Sequence, residues 1–250
     1  MSNRRKLAMS IPRLTAILAA FLCVLSVAHA GDTAKVDILG FSPDGGVFAF
    51  EEYGVQDGSG FPYANRYYID TGTDTFLPGT PVRVRLDDEQ ATVEDARAEA
   101  KNQGQDVVSD DVLKENAGFT AGWNAVTELS TDPHRMLVNP RPIFPPFDDP
   151  LEFRLEELAV EYPETCRNLG ERIFGFRLLR VGTSAGEETT LVHEDESVPE
   201  SRGCPLDYRL AGVQTYYPPE AQPAFAVLVA VRRYGFEGPD HRFIAVTGRQ

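Results

Sequence analysis

The chain has 250 residues and carries 24 Lys and Arg against 38 Asp and Glu, a formal net charge of −14. A surface this acidic repels nucleic acid and anionic lipid, since both need clustered basic side chains. Its plain consequence is solubility, and its functional one would be attraction to cations or basic partners.

The chain opens with Arg4, Arg5, Lys6 and Arg13 and has no acidic residue before Asp32. An apolar run over residues 14–27 follows and ends in Ala28-His29-Ala30. Basic start, apolar middle and a small-x-small end are the pattern of a signal peptide. The expectation is a leader over residues 1–30, cleaved after Ala30, and a mature chain from Gly31 in the periplasm or outside the cell. The apolar run falls short of the ~20 residues that span a bilayer, and an uncleaved anchor is the competing reading. Leu22 stands where a lipoprotein signal before Cys23 needs a small residue, and Arg4-Arg5 reads as ordinary basic charge rather than a twin-arginine signal. No second apolar stretch of spanning length follows, so no membrane span is expected after cleavage.

Loss of the leader leaves 220 residues, enough for one large domain or two small ones, and makes the net charge −18. Two cysteines remain, Cys166 and Cys204. In an oxidising compartment an isolated pair forms a disulfide, and the alternative is a catalytic or metal-binding thiol.

Strand signals dominate the mature chain. Short apolar runs lie at 36–41 and 47–50, and a Tyr- and Ile-rich one at 66–70. Val82-Arg83-Val84-Arg85-Leu86 alternates strictly, the mark of a half-buried strand. Residues 89–102, rich in Ala, Glu, Arg and Lys, predict a helix ending near Gly104, and Ser109-Asp110-Asp111 starts a second one running to Asn116. Six prolines fall within 132–150 and predict an irregular connection, laid over the surface or linking two subdomains. Further strands are predicted at 151–160, 173–181, 189–193, 208–217, 225–234 and 243–247, with Gly, Pro, Asp and Asn between them.

The two ends of the mature chain resemble each other. One stretch runs from Phe41-Ser42-Pro43-Asp44 to Arg66-Tyr67-Tyr68-Ile69-Asp70-Thr71-Gly72. The other runs from Tyr217-Pro218-Pro219-Glu220 to Arg242-Phe243-Ile244-Ala245-Val246-Thr247-Gly248. Each holds a Tyr-Gly (Tyr53-Gly54 and Tyr234-Gly235) followed by a Gly/Pro loop. Each is expected to be a strand, a loop and a returning strand, so 41–72 and 217–248 form a hairpin repeat; convergence of aromatic-rich hairpins is the alternative.

Phe41-Ser42-Pro43-Asp44-Gly45, Phe48-Ala49-Phe50 and Tyr68-Ile69-Asp70 resemble one blade motif of a TolB-type β-propeller. The second copy departs from it, with Glu220-Ala221 for Asp-Gly. A complete propeller needs at least four blades of ~40 residues, and only two copies are found, so the likeness is to a blade-like local motif. Residues 51–63 and 235–248 also make the chain similar to a family of unknown function described as predicted secreted bacterial proteins. That resemblance implies export and no activity.

Gly182-Thr183-Ser184-Ala185-Gly186 matches the G-x-S-x-G pattern, but a nucleophile elbow needs a helix next, and Thr189-Thr190-Leu191-Val192 reads as strand. A hairpin turn is the simpler reading. His134, His193 and His241 stand in no paired ligand spacing and are expected at surfaces or turns. His193-Glu194-Asp195-Glu196 reads as a solvated acidic loop, with cation binding as its alternative. Asp57-Gly58-Ser59-Gly60 lacks calcium-loop spacing, yet Tyr53, Phe61 and Tyr63 surround it. Aromatics beside flexible glycines make either a recognition surface or core packing, and Trp123 among Gly118, Gly122 and Asn124 is equally two-sided. No phosphate-binding loop, dinucleotide fingerprint or Cys cluster is present.

The sequence thus predicts a mainly β protein of antiparallel sheets, blade-like or sandwich, with one short helical insertion near 89–116. It predicts one β-rich secreted domain over 31–250. The expected role is non-catalytic binding of a protein or small molecule in the periplasm, without cofactor, metal or nucleic acid. Tyr53, Asp57, Phe61, Tyr63, Tyr234 and Phe236 are the candidate contact residues, and no residue is assigned a catalytic role. The alternatives are a secreted serine hydrolase using Ser184 and a structural component of the cell envelope.

Overall fold

A computed structural model describes residues 31–250; the leader and its cleavage site after Ala30 lie outside the described residues. The first sheet comprises β1 (Lys35–Phe41), β2 (Val47–Val55), β3 (Pro62–Asp70), β4 (Thr75–Phe76) and β5 (Val82–Arg85). Strands β1 to β4 follow in order, and β5 joins β3 beside β4. The Ser-Pro-Asp-Gly turn behaves as its chemistry dictates. The Ser42 hydroxyl donates to Asp44 at 2.6 Å and accepts the Val47 N–H at 2.8 Å, while Asp44 also accepts the Gly46 N–H at 2.9 Å. Short polar side chains thereby close the turn on its own backbone.

Two helices cover the outer face of this sheet. The first, α1 (Val93–Gly104), starts with a capping box between Thr92 and Asp95 and buries Ala96 and Ala100 against Ala64, Val82 and Val84. The second, α2 (Asp110–Glu115), is capped by Ser109 and buries Leu113 beside Ala49 and Tyr68. Helix α1 starts at Val93 rather than at residue 89 and runs through Gly104, two residues past the expected end at 102, with Gln105 as its cap. Buried Arg66 ties both layers, meeting Glu51 at 2.9 Å and Asp110 at 2.6 Å.

The central sheet has the order β13-β12-β11-β6, from β6 (Phe119–Trp123), β11 (Pro205–Tyr216), β12 (Ala224–Arg233) and β13 (Asp240–Arg249). The third sheet, β10-β9-β8-β7, comprises β7 (Arg135–Val138), β8 (Leu151–Leu158), β9 (Gly175–Val181) and β10 (Thr190–Glu194). Strand β12 explains the stacking, because residues 224–231 are all buried. Ala224, Ala226, Leu228 and Ala230 face the first sheet, and Phe225, Val227, Val229 and Val231 face the third. A run apolar on both faces needs a layer on each side. The alanines leave room for the Phe41, Phe48, Phe50 and Tyr67 rings of the first sheet, so small residues in one layer meet large ones in the next. The mainly β, antiparallel, sandwich-type expectation holds, with three sheets rather than two, and the helices form a fourth layer.

The two similar stretches pair as hairpins, β2 with β3 and β12 with β13. They lie face to face in neighbouring layers instead of side by side. The proline-rich segment contains β7, an edge strand of the third sheet, which its composition did not predict. Cys166 and Cys204 are bonded, closing a separation of 38 residues. Loop closure on that scale stabilises by about 4 kcal/mol in the chain-entropy account. Among the described residues, no helix is long and apolar enough to cross a membrane.

Candidate functional site

Alternation along β3 puts Tyr63, Asn65 and Tyr67 on one face of the first sheet. Antiparallel register sets Arg85 opposite Tyr63 and Arg83 opposite Asn65, so these arginines share that face while Val82 and Val84 point to α1. Beyond the edge of β13 this face is uncovered. Together with Glu52, Arg233, Arg242 and the turn residue Ser201, it walls a cleft of about 360 Å³.

Most of the lining is fixed by partners. Glu52 accepts the Tyr67 hydroxyl at 2.7 Å, the Asn65 amide at 3.1 Å and the Phe243 N–H at 2.9 Å. Arg242 pairs with Asp32 at 2.5 Å and Asp240 at 3.7 Å, and its guanidinium lies 4.9 Å from the Tyr63 ring centre. Asp32 also accepts the Tyr63 hydroxyl at 3.4 Å. Arg233 meets Asp240 at 3.3 Å, and Arg85 meets Asp87 at 2.6 Å. Burial holds both the Tyr63 and Tyr67 phenols far above the usual range, reinforced by neighbouring carboxylates, so both stay neutral. Arg83 differs from these. It is exposed, and its side chain makes no hydrogen bond or ion pair among the described residues.

The cleft continues into a smaller hollow of about 200 Å³ that shares Tyr67, Arg83 and Ser201 and adds Asp74, His193 and Arg202. Asp74, in the turn after β3 at φ 53°, accepts the Thr247 N–H at 2.7 Å and faces His193 Nδ1 at 3.6 Å. His193 Nε2 meets Asp195 at 3.1 Å, and Asp195 in turn pairs with Arg202. Burial opposes charge on His193, but hydrogen bonds to Asp195 and Asp74 outweigh it and push its pKa up to about 9. Burial likewise acts against the Asp195 charge, but His193 and Arg202 bring its pKa down to about 2. An imidazole held protonated at neutral pH is a cation in a cross-tie and cannot serve as a general base there. The expected solvated loop at 193–196 is thus corrected at Asp195, which is buried because Arg202 and the Phe176 N–H satisfy it.

The six sequence candidates separate. Asp57 accepts the Glu237 N–H at 2.8 Å, and Phe236 lies against Gly58, where an added Cβ would stand 3.1 Å from the ring. The tips of both Tyr-Gly hairpins therefore touch. Tyr234 and Phe236 line a further hollow of about 330 Å³ on that side, and Phe236 is 83% exposed. Tyr63 sits in the arginine cleft. Phe61 is half-buried at the end of its loop. Tyr53 faces the helices instead, with Arg97 stacked 3.8 Å over its ring. Residues 182–186 form the turn between β9 and β10, and the strand that follows leaves Ser184 without the helix of a nucleophile elbow.

Sequence reading missed Asn65, Tyr67, Arg83, Arg85, Arg233 and Arg242. The Val-Arg-Val-Arg alternation did show that two arginines share a face, but not that this face overhangs β13. A hollow of about 430 Å³ between β6 and β7 is lined by Trp123, Met136, Val138 and Phe144. Its one charged residue, Arg141, is already held by Asp148 at 2.6 Å. Among the described residues, no three His, Cys, Asp or Glu converge as metal ligands.

No curated protein and no solved structure matches the chain. The sequence profile of the family described as "Predicted secreted protein (DUF2259)" matches residues 49–249, and the chain belongs to that family.

Proposed function

We propose that this secreted protein is a non-catalytic binding module that takes a polar ligand in the cleft between β3, β5 and the ends of β12 and β13. The carrying observation is that Tyr63, Tyr67, Asn65 and Arg242 converge on an open cleft while locked by Glu52 and Asp32. Side chains already immobilised lose little entropy on binding, which is how a preorganised site gains affinity. The cleft volume falls within the range of small-molecule sites, ~300–1,000 Å³. The touching hairpin tips, with exposed Phe236, extend the same end of the molecule as a surface for a larger partner.

We also infer that residues 31–250 act as one domain, because β12 supplies side chains to the clusters on both sides of it. The likeness of 41–72 to a propeller repeat is read as one of local turn and strand. We infer cleavage after Ala30, with release into the periplasm or beyond, from the small-x-small end of the leader at Ala28-His29-Ala30. The intact mass of the exported protein tests this, with Gly31 expected as its first residue and a retained leader as the contrary result.

The binding reading is tested by a ligand-induced melting screen on the exported protein and on Ser201→Trp. Ser201 is exposed in a turn on the cleft wall, so the indole fills the cleft without removing a charge. Compounds that raise Tm in the wild type should lose that effect in the variant. Equal stabilisation of both proteins by every hit would refute binding in the cleft.

A further inference from the structure

We propose that the cleft recognises a small organic anion through a carboxylate or phosphoryl group, with Arg83 as the cation that meets it. The inference rests on the binding reading and names the chemistry of the ligand. The chain as a whole carries 38 acidic against 24 basic side chains, whereas arginines outnumber carboxylates among the residues that line this cleft. Arg83, Arg85, Arg233 and Arg242 line it with a single carboxylate, Glu52.

That carboxylate is fully engaged by Tyr67, Asn65 and the Phe243 N–H, so it faces the ligand with little residual attraction for cations. Three of the four arginines have their forks set by Asp87, Asp240 and Asp32, leaving the remaining guanidinium N–H groups directed from fixed positions. Arg83 has no such partner.

An unpaired exposed arginine is ordinarily just a solvated surface charge. Arg83 stands apart because it lies on the wall common to both linked hollows, opposite Asn65 and two residues from Arg85 on the same face. That spacing puts the two arginine Cα atoms about 7 Å apart, a distance that a di- or trianion can bridge. Guanidinium forks match carboxylate and phosphate oxygens in paired hydrogen bonds. A concave wall also gathers such charges and draws anions out of a solvent that the rest of the acidic surface repels. The hydroxyl protons of Tyr63 and Tyr67 are already given to Asp32 and Glu52, so the further donors around the opening are the Gln56 amide and the second N–H of Asn65.

The test follows arginine side-chain Nε–Hε resonances of the ¹⁵N-labelled exported protein by NMR. The probes are citrate, pyrophosphate and, as a neutral control, trehalose. Citrate or pyrophosphate should shift the Arg83 and Arg85 signals saturably, and trehalose should not. The tighter of the two anions identifies the source of the recognised group. Arg83→Gln should weaken that affinity about tenfold, the scale of one lost charge-assisted contact. Lys114→Gln, which removes the same charge from exposed α2, should leave it unchanged. Neither variant removes a partnered group, so both should keep the wild-type Tm.

The proposal fails if neither anion gives a saturable shift at Arg83, or if the two variants weaken binding equally. Hits blocked by Ser201→Trp but neutral, and indifferent to Arg83→Gln, would sink the anion proposal alone and leave the cleft a binding site. Hits that ignore Ser201→Trp would instead remove the cleft itself.

Discussion

At the scale of the residue, the clearest consequence of the structure lies in His193. Its side chain is 26% exposed and stands between Asp74 and Asp195. Its pKa in the folded protein, about 9, is above its ordinary value of 6.5. A group whose pKa is raised by folding stabilises the fold when protonated. That stabilisation is complete below pH 6.5, declines above it and is gone once the pH has passed 9. At 1.36 kcal/mol per pKa unit it amounts to at most about 3 kcal/mol. Asp195 acts in the opposite sense, since its pKa is lowered from 3.8 to about 2, and its contribution disappears as pH falls through that interval. Melting temperature measured from pH 6 to 10 should therefore fall across the upper window in the wild type and stay flatter in His193→Gln. Parallel curves for the two proteins would show that the cross-tie carries no such linkage.

At the scale of the element, legibility tracked how local the determining signal was. Alternation over 82–86 and apolar runs such as 225–234 encode strands in their own residues, and both lie where the sequence placed them. The second helix was legible from its cap, Ser109, and the first from composition alone, since its own cap, Thr92, falls inside the stretch read as helical. Strands β6 and β7 were not. Phe119–Trp123 is interrupted by Gly122, and Arg135–Val138 sits among prolines. Each is short and takes its extended form from pairing with β11 or β8, distant in sequence. The candidate site suffered more. The aromatic-glycine hairpins were visible, and their tips do touch through Asp57 and Glu237. The arginine cleft, however, depends on where β5 ends relative to β13, a relation between layers that no sequence window contains. Tyr53 and Tyr63 show the cost of one step in alternation. They flank the same loop, yet one packs under Arg97 on the helix side and the other enters the cleft.

At the scale of the whole molecule, the stack explains why a site arises at this end. The central sheet is covered on both faces through β12, while β13 is an edge strand with the first and third sheets projecting past it. The overhang is bridged by Asp74 and His193 at one point and left open at the arginine cleft. The residues that follow the expected cleavage point help to build the opening, because Asp32 positions both Arg242 and Tyr63. Export, the cross-tied layers and a cleft holding an unpaired arginine combine into the account proposed above, that of a secreted acidic protein capturing a ligand between β3, β5 and the ends of β12 and β13. The most direct test is a crystal structure of the wild type with the strongest stabilising compound from the melting screen. The account predicts ligand density between Arg83 and Arg233, in contact with Tyr63 or Asn65. Density confined to the Trp123–Phe144 hollow, with the arginine cleft holding solvent alone, would contradict it.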